Sequence, residues 1–197
     1  MPTTLSKYND ENLYLSADGA INFYSGCAND ASSYKLTLEC RTNGYAYATR
    51  LYGAVWNDYA EMRQSNIIEP GRCVKETGDG NLILSTKRLE RGCNIISDTY
   101  GFAIGETEKC KTPIAVSGRV LAYCYEGQEE ARKWIGYGVC SGPNGTVSIM
   151  TEEEERLYPN MIIGTISEIP NYDTWQAGSE TNSKNIIIDG RIWIKVK

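Results

Sequence analysis

The sequence predicts a mainly β protein: a barrel- or sandwich-like domain of short strands with one or two short helices, preceded by a small β-meander. Three observations predict it. Tyrosine is heavily used, with 14 residues against two phenylalanines, and there are 19 glycines; aromatic strand formers punctuated by glycine favour short strands and tight turns. Apolar runs of four to eight residues recur between Gly/Pro/Asn/Asp clusters. Helical periodicity is confined to one or two short stretches.

Residues 1–52 form the predicted meander. Leu13-Tyr14-Leu15 alternates before an Asp18-Gly19 turn, and Ile21 to Tyr24 follows. Lys35 to Cys40 alternates, Asn43-Gly44 supplies another turn, and Tyr45 to Thr49 alternates again. A hairpin stack of this size is marginal alone and calls for a partner, either the next domain or other subunits. Its tyrosines could stack on a sugar or receptor; packing between subunits of a fibre is the plainer use for them.

From residue 53 to 197 the apolar runs lengthen. The punctuation becomes Glu69-Pro70-Gly71, Gly78-Asp79-Gly80-Asn81 and Gly142-Pro143-Asn144-Gly145. Strands are expected at Leu82–Ser85, Gly101–Gly105, Pro113–Ala122, Gly136–Cys140, Thr146–Met150 and Met161–Ile166, with a closing hairpin over Asn185–Val196 turned at Asp189-Gly190. Thr151-Glu152-Glu153-Glu154 is a capping box, so a helix starts there and stops by Pro159. A second short helix is expected around Glu129–Trp134.

Composition removes whole classes of function. Net charge is −5 and no basic run exists, so the footprint of a nucleic-acid binder is missing. No stretch approaches 18 apolar residues, and the N-terminus lacks a signal-peptide pattern, which implies no membrane insertion and retention in the cytoplasm until release. With no histidine, Ser-His-Asp and Cys-His catalysis are impossible. Seven cysteines without a C-x-x-C spacing read as reduced, mostly buried thiols; no metal site and no cofactor are expected.

The candidate chemistry lies in Trp56-Asn57-Asp58-Tyr59-Ala60-Glu61. A turn would bring Asp58 and Glu61 together, and two close carboxylates share one proton, giving an acid and a base for one bond. The bond at hand is the Asn57–Asp58 peptide. Asn57 offers a second route, since its amide can attack its own carbonyl, and Trp56 could shield the pair or belong to the core. Other polar clusters read more plainly. Ser117-Gly118-Arg119 is a strand and turn without a base nearby. Gly78 to Asn81 is a hairpin turn lacking P-loop or EF-hand spacing. Glu152 to Glu155 is a solvated helix start.

Asn57-Asp58-Tyr59-Ala60-Glu61 resembles the D-Y-A-E motif of the peptidase G2 family, the autoproteolytic intramolecular chaperone domains at the C-terminal ends of phage pre-neck appendage and tail-spike proteins. The likeness continues through Ile68 to Arg72, Tyr100 to Gly105, Pro113 to Val120 and Ile162 to Ser167, and covers residues 53–197. It implies a virion protein assembled in a bacterial host cytoplasm, a homotrimer that meets other phage tail or virion proteins, and a scissile Asn57–Asp58 bond with Asp58 and Glu61 as catalytic carboxylates. Two departures stand out: the family commonly has serine where this chain has Asn57, and only 57 residues precede Asp58 where a long fibre is usual. The alternatives are a non-cleaving trimeric structural, decoration or receptor-binding virion protein on the same fold, and an unrelated small-molecule-binding β-domain.

Overall fold

The computed structural model describes residues 4–8, 12–16, 21–25, 35–40, 46–48, 58–173 and 186–197. The chain divides into two compact units, Met1–Tyr52 and Gly53–Lys197.

In the first unit, β1 (Thr4–Tyr8) pairs antiparallel with β2 (Asn12–Ser16). Strands β3 (Ile21–Ser25), β4 (Lys35–Cys40) and β5 (Ala46–Ala48) form an antiparallel sheet in that order. Strand β1 is not legible in the sequence pattern. The Asp18-Gly19 and Asn43-Gly44 turns lie outside the described residues.

The second unit holds two sheets. Strands β7 (Cys73–Glu76), β8 (Leu82–Leu84) and β9 (Cys93–Ile95) make a three-stranded sheet with β7 in the middle. The β7–β8 hairpin turns through Gly78-Asp79-Gly80, closed by Thr77 N–H to Asn81 O at 2.9 Å. The Asp79 carboxylate accepts from the Thr77 hydroxyl and from Asn81, which holds its pKa below the usual value.

The larger sheet has seven strands: β6 (Asp58–Gln64), β10 (Tyr100–Ile104), β11 (Cys110–Tyr123), β12 (Gly138–Ser141), β13 (Val147–Ile149), β14 (Gly164–Glu168) and β15 (Arg191–Val196). Their order is β10-β6-β11-β15-β14-β12-β13, and the β10–β6 pairing is parallel. Among the described residues the unit is mainly β with two sheets and no closed barrel, so of the two expected forms it is the sandwich-like one.

The core lies between the sheets. Cys73 and Ile95 from the small sheet pack with Ala115, Val120, Ala122, Val139, Ile166, Ile192 and Ile194 from the large one. On the other face of β11 and β15, Leu121 and Trp193 pack with Ile186 and Ile188. Strand β15 is therefore covered on both sides, and each fully buried side chain contributes roughly 1.5–3 kcal/mol. The expected closing hairpin is corrected here: Ile186–Ile188 forms no ladder but lies across the sheet as an apolar strap, turning at Gly190 (φ +72) into β15.

Two short helices complete the unit. Helix α1 (Gln128–Ala131) runs on into a 3-10 turn over Arg132–Trp134. Helix α2 (Glu152–Leu157) has the expected capping box: Thr151 Oγ1 accepts from Glu154 N–H at 3.2 Å, and the Glu154 carboxylate accepts from Thr151 N–H at 2.9 Å. The acidic run is not only solvated. Glu154 binds the Arg88 guanidinium at 2.7 Å, which holds its pKa down at about 2, and Glu155 accepts from Gly138 N–H.

Candidate functional site

Asp58 is the first residue of β6, and the ladders beside it are irregular on both flanks. On β10, Tyr100 opposes Asp58 and Phe102 opposes Tyr59, so Gly101 is an extra residue. On β11, Ala115 opposes Ala60 and Ser117 opposes Tyr59, so Val116 is extra. Bulges of this kind re-aim side chains and concentrate near functional sites. Ser117-Gly118-Arg119 is thus no turn: it continues β11, with Gly118 (φ +104) directly opposite Asp58.

The Asp58 side chain is fully buried. Its Oδ1 accepts from Ser97 Oγ at 3.1 Å and from Thr99 Oγ1 at 2.6 Å. Thr99 N–H donates back to Ser97 Oγ at 3.0 Å, a local turn that sets both hydroxyls on one side. Ser97 N–H is anchored on Pro113 O at 2.9 Å. Ser97 and Thr99 are themselves almost completely buried. A carboxyl group out of water needs such donors, because burying it unsatisfied costs several kcal/mol. Sequence reasoning missed both residues: Ser97-Asp98-Thr99 has the composition of an ordinary turn, and only the parallel β10–β6 pairing carries it to the start of β6.

Glu61 is placed differently. The strand alternates buried and half-buried residues, with Asp58, Ala60 and Met62 inward and Tyr59, Glu61 and Arg63 outward. Residues three apart on a strand face opposite sides and are separated by about 10 Å along it. The expected turn does not exist, and Asp58 and Glu61 do not meet within one subunit. Glu61 lies 3.5 Å from Arg63 Nη1, and Arg63 also binds Glu76. Both acids line an open cleft of about 380 Å³ with Cys93, Asn94 and Ile114. Asn57, and with it the proposed scissile bond, lies outside the described residues, as does Trp56.

A larger cleft of about 700 Å³ opens beside the buried site, lined by Ser97, Asp98, Tyr100, Tyr123 and Arg191 among others. Arg191 is buried and forms a two-pronged ion pair with Asp98, both N···O distances 3.0 Å. It also donates to Ile187 O at 2.6 Å. Tyr123 takes the Arg72 guanidinium over its ring, 4.5 Å from the centroid. The charges at this cleft are thus engaged with one another, which makes Arg191 a structural cation tying the 186–188 strap to the 97–99 segment.

The thiols are not uniformly buried. Cys73, Cys124 and Cys140 are inside, while Cys93 and Cys110 are partly exposed. Burial, and next the Glu126 carboxylate, push the Cys124 thiol up to about 12. Among the described residues no group of three or more Cys, Asp or Glu is placed to hold a metal ion, and no helix is long and apolar enough to cross a membrane. No family model matches the chain, and neither the curated proteins nor the solved structures include a match to it.

Proposed function

We propose that the protein is a phage or prophage virion protein of the tail-spike or appendage type, whose 53–197 unit is an intramolecular chaperone that assembles three chains and cuts its own Asn57–Asp58 bond. The observation that carries this reading is the fixed Asp58 carboxyl. Its residue supplies the amide nitrogen of that bond, and two buried hydroxyls set its orientation between two strand bulges. A positioned carboxyl group beside its own amide suits proton transfer to the leaving nitrogen while water adds to the Asn57 carbonyl. The resemblance of Asp58-Tyr59-Ala60-Glu61 to the family motif supports the same bond.

One observation favours a second reading, a non-cleaving trimeric structural, decoration or receptor-binding protein of the virion. Asp58 and Glu61 occupy opposite faces of β6, so one subunit does not assemble a shared-proton pair. Intact mass of the purified full chain separates the two. Cleavage yields two pieces, one ending at Asn57 and one beginning at Asp58, that together exceed the 21.9 kDa chain by one water. Asp58→Asn stays whole. If the wild-type chain remains whole after prolonged incubation as a trimer, the cleaving reading is lost and the scaffold reading stands. A monomer at micromolar concentration removes both.

A further inference from the structure

Strands β7 and β9 pair antiparallel with Cys73 opposite Ile95 and Lys75 opposite Cys93. Residues two apart on a strand share a face, so Cys73 and Cys93 are diagonal neighbours on one face of the small sheet. Cys73 is fully buried in the main core, and Cys93 packs against that cluster from its rim. Each thiol is the largest single influence on the ionisation of the other. Cys93 also lines the open 380 Å³ cleft, so one thiol of the pair meets solvent and the other does not.

The surroundings divide their roles. The neighbouring Cys73 thiol draws the Cys93 thiol below its ordinary value, with the Ser141 hydroxyl and Lys75 assisting against burial and the Glu90 carboxylate. Its partnership with Cys93 and its burial hold the Cys73 thiol well above the ordinary value, with Cys140 adding to the rise and Ser85 opposing it. A partly exposed thiol with a lowered pKa beside a buried thiol with a raised one is the arrangement of an attacking and a resolving cysteine.

We propose that Cys93 and Cys73 are a thiol–disulfide exchange pair, with Cys93 attacking a small-molecule disulfide such as oxidised glutathione and Cys73 resolving the adduct into an internal disulfide. In the first step the Cys93 sulfur bonds to one sulfur of the small disulfide. The S–S bond breaks, and the other half leaves as a thiolate that takes up a proton. In the second step Cys73 loses its proton and attacks Cys93 Sγ, expelling the remaining half as a second thiol. Two protein thiols are oxidised to one disulfide, and one small disulfide is reduced to two thiols.

Diagonal neighbours sit about 7–8 Å apart at Cα, and a disulfide spans roughly 4.4–6.8 Å. Closure therefore draws β9 toward β7. That shift is local, because β9 is a three-residue edge strand entered through Gly92, whose φ is +68.

The test uses the folded full chain, oxidised glutathione, and peptide mapping by mass. Cys93 reacts severalfold faster than the partly exposed Cys110. The wild-type product lacks two hydrogens and carries a Cys73–Cys93 link. Cys73→Ala, or Cys73→Ser should alanine loosen the core, retains one glutathionyl group on Cys93, and Cys93→Ala leaves Cys73 unmodified. Glutathione that stays on wild-type Cys93 without an internal link, or a Cys93 rate no greater than that of Cys110, overturns the proposal.

Discussion

Thr99 Oγ1 donates a 2.6 Å hydrogen bond to Asp58 Oδ1 in a site that excludes solvent. Removing that donor leaves a buried carboxyl short of a partner, which typically costs about 1–3 kcal/mol. Thr99→Val should therefore lower the unfolding free energy of the full chain by that amount, read as a drop in the urea midpoint, and Thr99→Ser should recover most of it. A Thr99→Val midpoint equal to wild type would mean the hydroxyl does not hold the carboxyl.

Glu61 sits on the opposite face, half-exposed, with Arg63 at 3.5 Å. Exposed ion pairs contribute about 0–1 kcal/mol. Glu61→Ala should keep its stability within roughly 0.5 kcal/mol of wild type, while Asp58→Ala, which empties a buried hydrogen-bonded position, loses several-fold more. Denaturant titration of both variants checks the contrast. It also makes any cleavage defect of Glu61→Ala attributable to chemistry instead of unfolding.

Acid should weaken the clasp between Arg88 and Glu154. The Glu154 pKa is depressed to about 2 by Arg88, against about 4.3 for an unperturbed glutamate. A depressed carboxylate contributes fully above the unfolded value and loses that contribution as pH falls through the folded one. The stability gap between wild type and Glu154→Gln should therefore be constant near neutrality and shrink between about pH 4 and pH 2. Glutamine retains the capping box, so the comparison isolates the charge. A gap that stays unchanged across that window would count against the assignment.

Gly164 sits where β14 crosses closest to β15. A Cβ there would lie 2.5 Å from Lys195 O and 2.7 Å from Ile194 Cγ2. Backbone cannot yield cheaply, so Gly164→Ala should cost about 1–3 kcal/mol or more. Gly80, with open space around it but φ +80, should cost only about 1 kcal/mol on the same change. Thermal melts of the two variants should rank them in that order.

Much of the fold was legible because local rules and tertiary context agree. Thr151 and Glu154 announced their helix through reciprocal caps, and Pro113–Ala122 showed itself through apolar length. Strand β6 was hidden because Asp58-Tyr59-Ala60-Glu61 looks like a polar turn, whereas its outward residues are held by β10 and β11 ladders invisible to local pattern. The same limit hid Ser97 and Thr99 as partners of Asp58, and Cys93 as a neighbour of Cys73. Each of those contacts joins distant parts of the chain, and spacing carries no signal for them. Ile186 to Ile188 had the composition of a strand, yet it joins no ladder among the described residues, and it was the strap against Leu121 and Trp193 that claimed the Ile186 and Ile188 side chains.

Strand β15 separates β10-β6-β11 from β14-β12-β13. Without Arg191–Val196 those two groups share, among the described residues, only the isolated bridge between Cys124 and Val147. Long-range closure of this kind is slow compared with local hairpins. Joining the two groups into one sheet thus waits on the strand that comes last among them in the sequence.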